Sequence, residues 1–172
     1  MAELTKFEIT KLPKLCVVGK EIRYSWEALE DGDNRLPGFW NQCINENIFA
    51  PLEAQTEHVF DNAHVGVFLD WYLGDHDFTY IVGMLMKPGM TVPKGYVARE
   101  LAETDVAVGW NKGKFPGRGA QDSNHQLMAQ ALKENGRTNA NMKWCMELYN
   151  CSRATVPDEK GATVVDLYVP LD

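Results

Sequence analysis

The succession strand, helix, strand, strand occurs twice in the 172 residues of the chain, and that recurrence restricts the available folds more than any single motif does. In the first pass, residues 7–24 alternate loosely around Pro13, and Leu15-Cys16-Val17-Val18-Gly19 continues through Ile22 and Tyr24 as a buried strand would. Turn and capping residues follow at Asp31-Gly32-Asp33-Asn34. Leu36, Phe39, Trp40, Cys43, Ile44 and Ile48 then recur at helical spacing, with Pro37 in the first turn and Pro51 as the stop. Residues 52–61 are polar and aperiodic, a connection. Residues 64–72 and 78–86 read as two strands, with Gly74-Asp75-His76-Asp77 as the hairpin turn between them and Pro88-Gly89 closing the second.

The second pass repeats the order. Residues 95–101 and 104–110 read as strands, the latter placing Val106, Val108 and Trp110 together. A basic, glycine-rich break over 112–119 lacks the Gly-Lys-Ser or Gly-Lys-Thr ending of a phosphate-binding loop. Asp122 or Ser123 then caps a helix with Leu127, Met128, Ala131 and Leu132 on one side and Gly136 as terminator. Strands over 142–149 and 163–169 complete the chain. The hairpins are antiparallel and each helix has one apolar stripe, so the expectation is an α+β domain spanning 1–172. It is built as a duplicated β-α-β-β unit, with pseudo-repeats at about 6–87 and 95–171. The sheet is expected to be curved and antiparallel, with two helices outside and a ligand pocket between the halves.

Composition removes several classes of function. With 45% apolar residues and 10% aromatics the chain can fill its own core, and a formal charge of −7 repels nucleic acid and anionic membranes. No stretch approaches eighteen apolar residues and the first residues lack a basic and apolar leader, so a cytoplasmic protein is expected. Cys16, Cys43, Cys145 and Cys151 form no CxxC pair, and His58, His64, His76 and His125 are scattered, so neither a metal nor a cofactor is expected.

One acid stands out. In Met142-Lys143-Trp144-Cys145-Met146-Glu147-Leu148-Tyr149, alternation puts Trp144, Met146 and Leu148 on one face and Cys145, Glu147 and Tyr149 on the other. A carboxylate beside a ring on a sheet face either lies in water or is kept for a ligand, because its burial without a partner costs several kcal/mol.

Taken in order, several segments resemble the gyrase-inhibitor-like (GyrI-like) small-molecule-binding domain, shared with effector-binding domains of bacterial multidrug regulators of the AraC and MerR types. They are residues 37–40, His64-Val65-Gly66-Val67-Phe68 with Asp70, residues 78–83, residues 93–96, residues 107–113, Glu147-Leu148-Tyr149 and Val169-Pro170-Leu171. The resemblance implies a pocket in which Glu147 meets a cationic or aromatic small molecule, with Tyr149, Phe68, Trp71, Tyr80, Trp110 and Trp40 as candidate walls. It departs from the family where the second helix reads Gln130-Ala131-Leu132-Lys133 and where Trp110 stands in place of a common Phe. Three functions are compatible with the resemblance: sensing or sequestration of a lipophilic cation, hydrolysis of an electrophilic cyclopropane with Glu147 and Tyr149 as catalytic groups, and regulation of a partner protein such as gyrase. No segment ahead of Leu12 has the length of a helix-turn-helix, so a free-standing domain is expected. The spacing of the cysteines and histidines makes one outcome testable at once: a chelator should leave the melting temperature unchanged, and a drop would reveal a structural metal.

Overall fold

The computed structural model describes residues 1–71, 77–115, 117–119, 122–137 and 143–171. In chain order the strands are β1 (Glu3–Leu12), β2 (Leu15–Ser25), β3 (Ala63–Leu69), β4 (Asp77–Met86), β5 (Val97–Leu101), β6 (Thr104–Gly113), β7 (Trp144–Asn150) and β8 (Thr163–Pro170). The helices are α1 (Trp26–Glu30), α2 (Leu36–Asn45), α3 (Ala50–Glu53) and α4 (Asp122–Glu134). All eight strands join one sheet in the order β1-β6-β8-β7-β3-β4-β2-β5, and every pairing is antiparallel. The α+β class and the antiparallel sheet are as the sequence patterns require.

Some local structure departs from those patterns. The region around Pro13 holds two strands, β1 and β2, and α1 follows β2 directly because the Ser25 hydroxyl accepts from the Ala28 amide and caps it. Pro51 starts α3 where it was expected only to end α2, since a proline in a first helical turn gives up no hydrogen bond. The expected hairpin turn 74–77 lies largely outside the described residues.

Strand order outward from the β7–β3 junction is β3-β4-β2 on one side and β7-β8-β6 on the other. The outermost strands are exchanged. β5 completes the half containing β2, and β1 runs beside β6, from Glu3 opposite Lys112 to Leu12 opposite Thr104.

The sheet is apolar on both faces. One face gathers Leu15, Val17, Val65, Val67, Ile81, Leu101, Val106, Met146 and Leu148, strand residues from both ends of the sheet, so the sheet must curl over them. The other face carries the helices: Leu36, Trp40, Cys43 and Leu52 pack on Phe68, Phe78, Tyr80, Val82, Cys145 and Tyr149. Met128 and Leu132 of α4 pack on Ala107, Leu167 and Val169. Each fully buried aliphatic side chain such as Leu36 or Leu52 contributes about 1.5–3 kcal/mol. Among the described residues no helix is long and apolar enough to cross a membrane.

An ion pair spans the curl. Arg99 of β5 grips Asp70, just past β3, with Nη1 to Oδ2 at 3.0 Å and Nη2 to Oδ1 at 2.7 Å, although β2 and β4 lie between these strands in the sheet. The Arg99 guanidinium holds the Asp70 carboxyl below its ordinary range. With the folded pKa depressed, the unfolded chain takes up the proton first as pH falls. The pair's stabilisation is therefore complete above the ordinary carboxylate range and is lost as pH drops through the lowered folded value. Asp70→Asn should accordingly lower urea stability at neutral pH, with the difference from wild type shrinking in acid; a gap independent of pH would remove the ion pair as its cause.

Candidate functional site

β7 turns Cys145, Glu147 and Tyr149 toward the helix-covered face, and register places Glu147 opposite Gly66 of β3 and Leu167 of β8. Glu147 is 0% exposed. Its Oε2 accepts a hydrogen bond from the Tyr80 hydroxyl at 3.2 Å and another from the Tyr149 hydroxyl at 3.1 Å. Tyr149 lies two residues along the same strand, whereas Tyr80 comes from β4, with β3 between. It reaches across because the intervening position is a glycine: a Cβ on Gly66 would stand 1.9 Å from the Tyr80 hydroxyl oxygen and 2.6 Å from its Cζ.

The phenols are themselves oriented from behind. Trp40 Nε1 of α2 donates to the Tyr80 oxygen at 2.9 Å, and the Gly119 amide donates to the Tyr149 oxygen at 2.9 Å. Both are donor-only groups, so each tyrosine proton is directed at the carboxylate. Gly119 is held there by a left-handed backbone, φ 96°, and by an approach to α2 that leaves 2.8 Å between a Cβ on it and Leu36 Cβ. Burial, and then the charge of Glu147, push both phenols well above their ordinary range, and the same two causes raise the Cys145 thiol. Tyr80 and Tyr149 therefore stay protonated, as donors must.

Rings close the cluster. Trp40 meets Tyr149 edge-on at 5.0 Å, Phe68 meets Tyr80 edge-on at 4.7 Å, and Trp26 stacks on Phe68 at 5.7 Å. The Arg118 guanidinium lies 4.8 Å from the Tyr149 ring centroid and 5.0 Å from that of Trp40. Among the described residues its buried Nη1 has no hydrogen-bond partner, nor do Asn111 Oδ1 and the side-chain amide atoms of Asn124.

Two clefts open beside the cluster. One of about 420 Å³ is bounded by Trp26, Leu29, Asn34, Phe68 and His125. The other, of about 670 Å³, is bounded by His125, Met128, Leu132, Cys145, Leu167 and Val169. Glu147 lines neither, but Phe68 touches Tyr80 and Leu167 sits opposite Glu147, so each cleft has a lining residue that neighbours the cluster.

Of the residues singled out in the sequence, Glu147, Tyr149, Tyr80 and Trp40 come together, and Phe68 borders them. Trp71 packs past the end of β3 at the rims of both apolar faces. Trp110 lies with Val106 and Val108 on the face opposite Glu147, between the Lys6 ammonium at 4.6 Å and the Arg153 guanidinium at 4.2 Å. Alternation along β6 fixes that placement and separates Trp110 from the cluster. Gly66, Arg118 and Gly119 were not singled out as site residues. A glycine inside Val65-Gly66-Val67 is the signal that marks a close approach. Among the described residues no group of His, Cys, Asp and Glu is placed to hold a metal.

A curved antiparallel sheet with helices on one face and a buried acid among rings defines the GyrI-like effector-binding class. The family described as Cass2, integron-associated effector binding protein, matches residues 8–171, and the chain belongs to it. It is thus a member of a small-molecule-binding family. Among solved structures it is similar to SAV2435, solved bound to tetraphenylphosphonium, with TM-score 0.67 and 14% identity, covering 98% of this chain and 94% of that one. It is similar also to the integron cassette protein VCH_CASS2 from the mobile metagenome of Vibrio cholerae, with TM-score 0.60 and 11% identity, covering 99% of each chain. EcmrR, solved in a complex with DNA, aligns with TM-score 0.55 and 10% identity over 97% of this chain and 57% of its own. At these identities the likeness is one of fold. No curated protein matches the chain.

Gly66→Ala tests the construction of the site. Its Cβ must push the Tyr80 hydroxyl off both Glu147 and Trp40, so the variant should lose about 1–3 kcal/mol of stability in urea, with Tyr80→Phe losing a similar amount. Unchanged midpoints for both would show that the phenol contributes nothing to holding the buried acid.

Proposed function

We propose that the protein binds a lipophilic, aromatic or delocalised cation at the Glu147 cluster, sensing or sequestering it. The observation that carries this reading is a fully buried carboxylate held by two phenols within a shell of rings and flanked by two apolar clefts. The acid supplies charge, and the Trp40, Tyr149 and Phe68 rings supply apolar contact and their negative faces. In a medium of low dielectric each is worth more than in water. The bound state of SAV2435, with tetraphenylphosphonium, supports the same class of ligand by analogy of fold. Trp110, on the opposite face of the sheet, has no part in this reading, and Trp71 stays at the rim.

Hydrolysis of an electrophilic cyclopropane by the same acid ranks second. Its support is the pair of phenols within hydrogen-bond distance of Glu147, yet both already donate to that carboxylate, and their raised pKa makes them poor proton donors to a substrate.

Calorimetric titration with tetraphenylphosphonium decides the main point. Glu147→Gln keeps the shape and removes the charge, so it should bind the cation about 1–3 kcal/mol more weakly, the range for a charge-assisted contact. Affinity for neutral triphenylphosphine oxide should not change. Equal cation affinity in wild type and variant would refute the role of the acid. Mass spectrometry of an incubated cyclopropane electrophile tests the second reading: a hydrated product lost in Glu147→Gln would establish it.

A further inference from the structure

The aromatic corner made by Trp40 and Tyr149 already holds a cation, and it comes from the chain. Arg118 sits between Gly117 and Gly119 and lays its guanidinium against both rings, 4.8 Å from one centroid and 5.0 Å from the other. Among the described residues it makes no ion pair, and its buried Nη1 finds no hydrogen-bond partner. Among the described residues the two rings therefore supply its contacts, and they leave the buried Nη1 of its five-donor fork unmet. Burial accordingly lowers its pKa from the ordinary arginine value.

The backbone carrying this guanidinium is tied to the same site. The Gly119 amide donates to the Tyr149 hydroxyl, which in turn donates to Glu147. Every buried side-chain nitrogen or oxygen without a partner among the described residues belongs to Arg118, Asn111 or Asn124, on this segment or at its flanks. Among the described residues the unmet buried polar atoms thus gather where residues 117–119 run between β6 and α4.

We infer that Arg118 is an internal competitor: its guanidinium occupies the cation position of the Trp40–Tyr149 corner, and a ligand cation binds by taking its place and releasing the 117–119 strap. This rests on the cation-binding reading of the Glu147 site and adds to it the mechanism by which affinity is set. Two positive charges cannot share one aromatic corner without mutual repulsion in a low dielectric, so ligand entry and Arg118 exit are coupled. The chain also advertises the ligand's charged end as flat or charge-delocalised and weakly hydrated, as a guanidinium is.

The test titrates tetraphenylphosphonium into wild type, Arg118→Gln and Arg118→Lys, each checked for an unchanged melting transition. Removal of the competitor should tighten binding of the cation about two- to thirty-fold, the span of a cation–π contact from exposed to desolvated sites. Neutral triphenylphosphine oxide should gain less, and Arg118→Lys, which keeps the charge, should stay near wild type. A second readout needs no variant. The Arg118 Nε–Hε resonance of the wild type, shifted by the two ring currents in the free protein, should move to an ordinary solvent-exposed position on saturation with tetraphenylphosphonium. If wild type binds the cation through Glu147 but Arg118→Gln binds equally or more weakly, or if the Arg118 resonance does not move, the competitor role is overturned while the binding reading stands. If neither wild type nor Arg118→Gln binds, both fall. Binding by Arg118→Gln alone would establish the competitor in its strongest form.

Discussion

The hydrogen-bonded burial of one carboxylate sets the arrangement of this molecule. Glu147 is wholly removed from water, a state that costs several kcal/mol unless its oxygens are met. Tyr80 and Tyr149 both meet Oε2, and each is aimed by a further group, Trp40 from α2 and the Gly119 amide from the segment before α4. A single oxygen atom thereby fixes where one helix and one loop lie against the sheet. The whole depends on Gly66 having no side chain, since the Tyr80 hydroxyl occupies that space.

The faces of the strands were legible in the sequence, and their partners were not. Period-two alternation put Cys145, Glu147 and Tyr149 together correctly because β7 is regular from end to end. The same alternation put Val106, Val108 and Trp110 on one face of β6, but it cannot say which face of β6 continues into which face of β7. That is a matter of pairing, and β8 lies between them. Tyr80 and Trp40 were reachable as aromatic candidates by type. Gly66 was legible only as a close approach, and the Gly117-Arg118-Gly119 strap was not legible at all, because a glycine's role is defined by what approaches it. The short helices α1 and α3 lay below the length at which helical periodicity declares itself.

The site is closed in a particular way. The Glu147 carboxylate is wholly buried and lines neither cleft; the clefts meet at His125, one reaching Phe68 and the other Cys145 and Leu167. Under the proposed reading, recognition in such a site is a repacking event, in which a ligand's apolar mass is accepted by the clefts and its charge only after side chains yield. Selectivity then comes from the work of repacking as much as from fit, and ligands able to offer both apolar bulk and a soft charge are favoured over those with one alone.

The exchange of the outermost strands bears on how the chain reaches this state. Among the described residues β1 precedes every other strand, yet its neighbour in the sheet is β6, so the pairing of Glu3 with Lys112 waits on the chain between them. β5 likewise closes back on β2. Contacts this distant in sequence make for slow folding, and neither half can complete its own edge. Lys6, Glu8, Thr10 and Lys11 put charged or polar side chains at exposed positions of the edge strand β1, which blunts pairing with another chain.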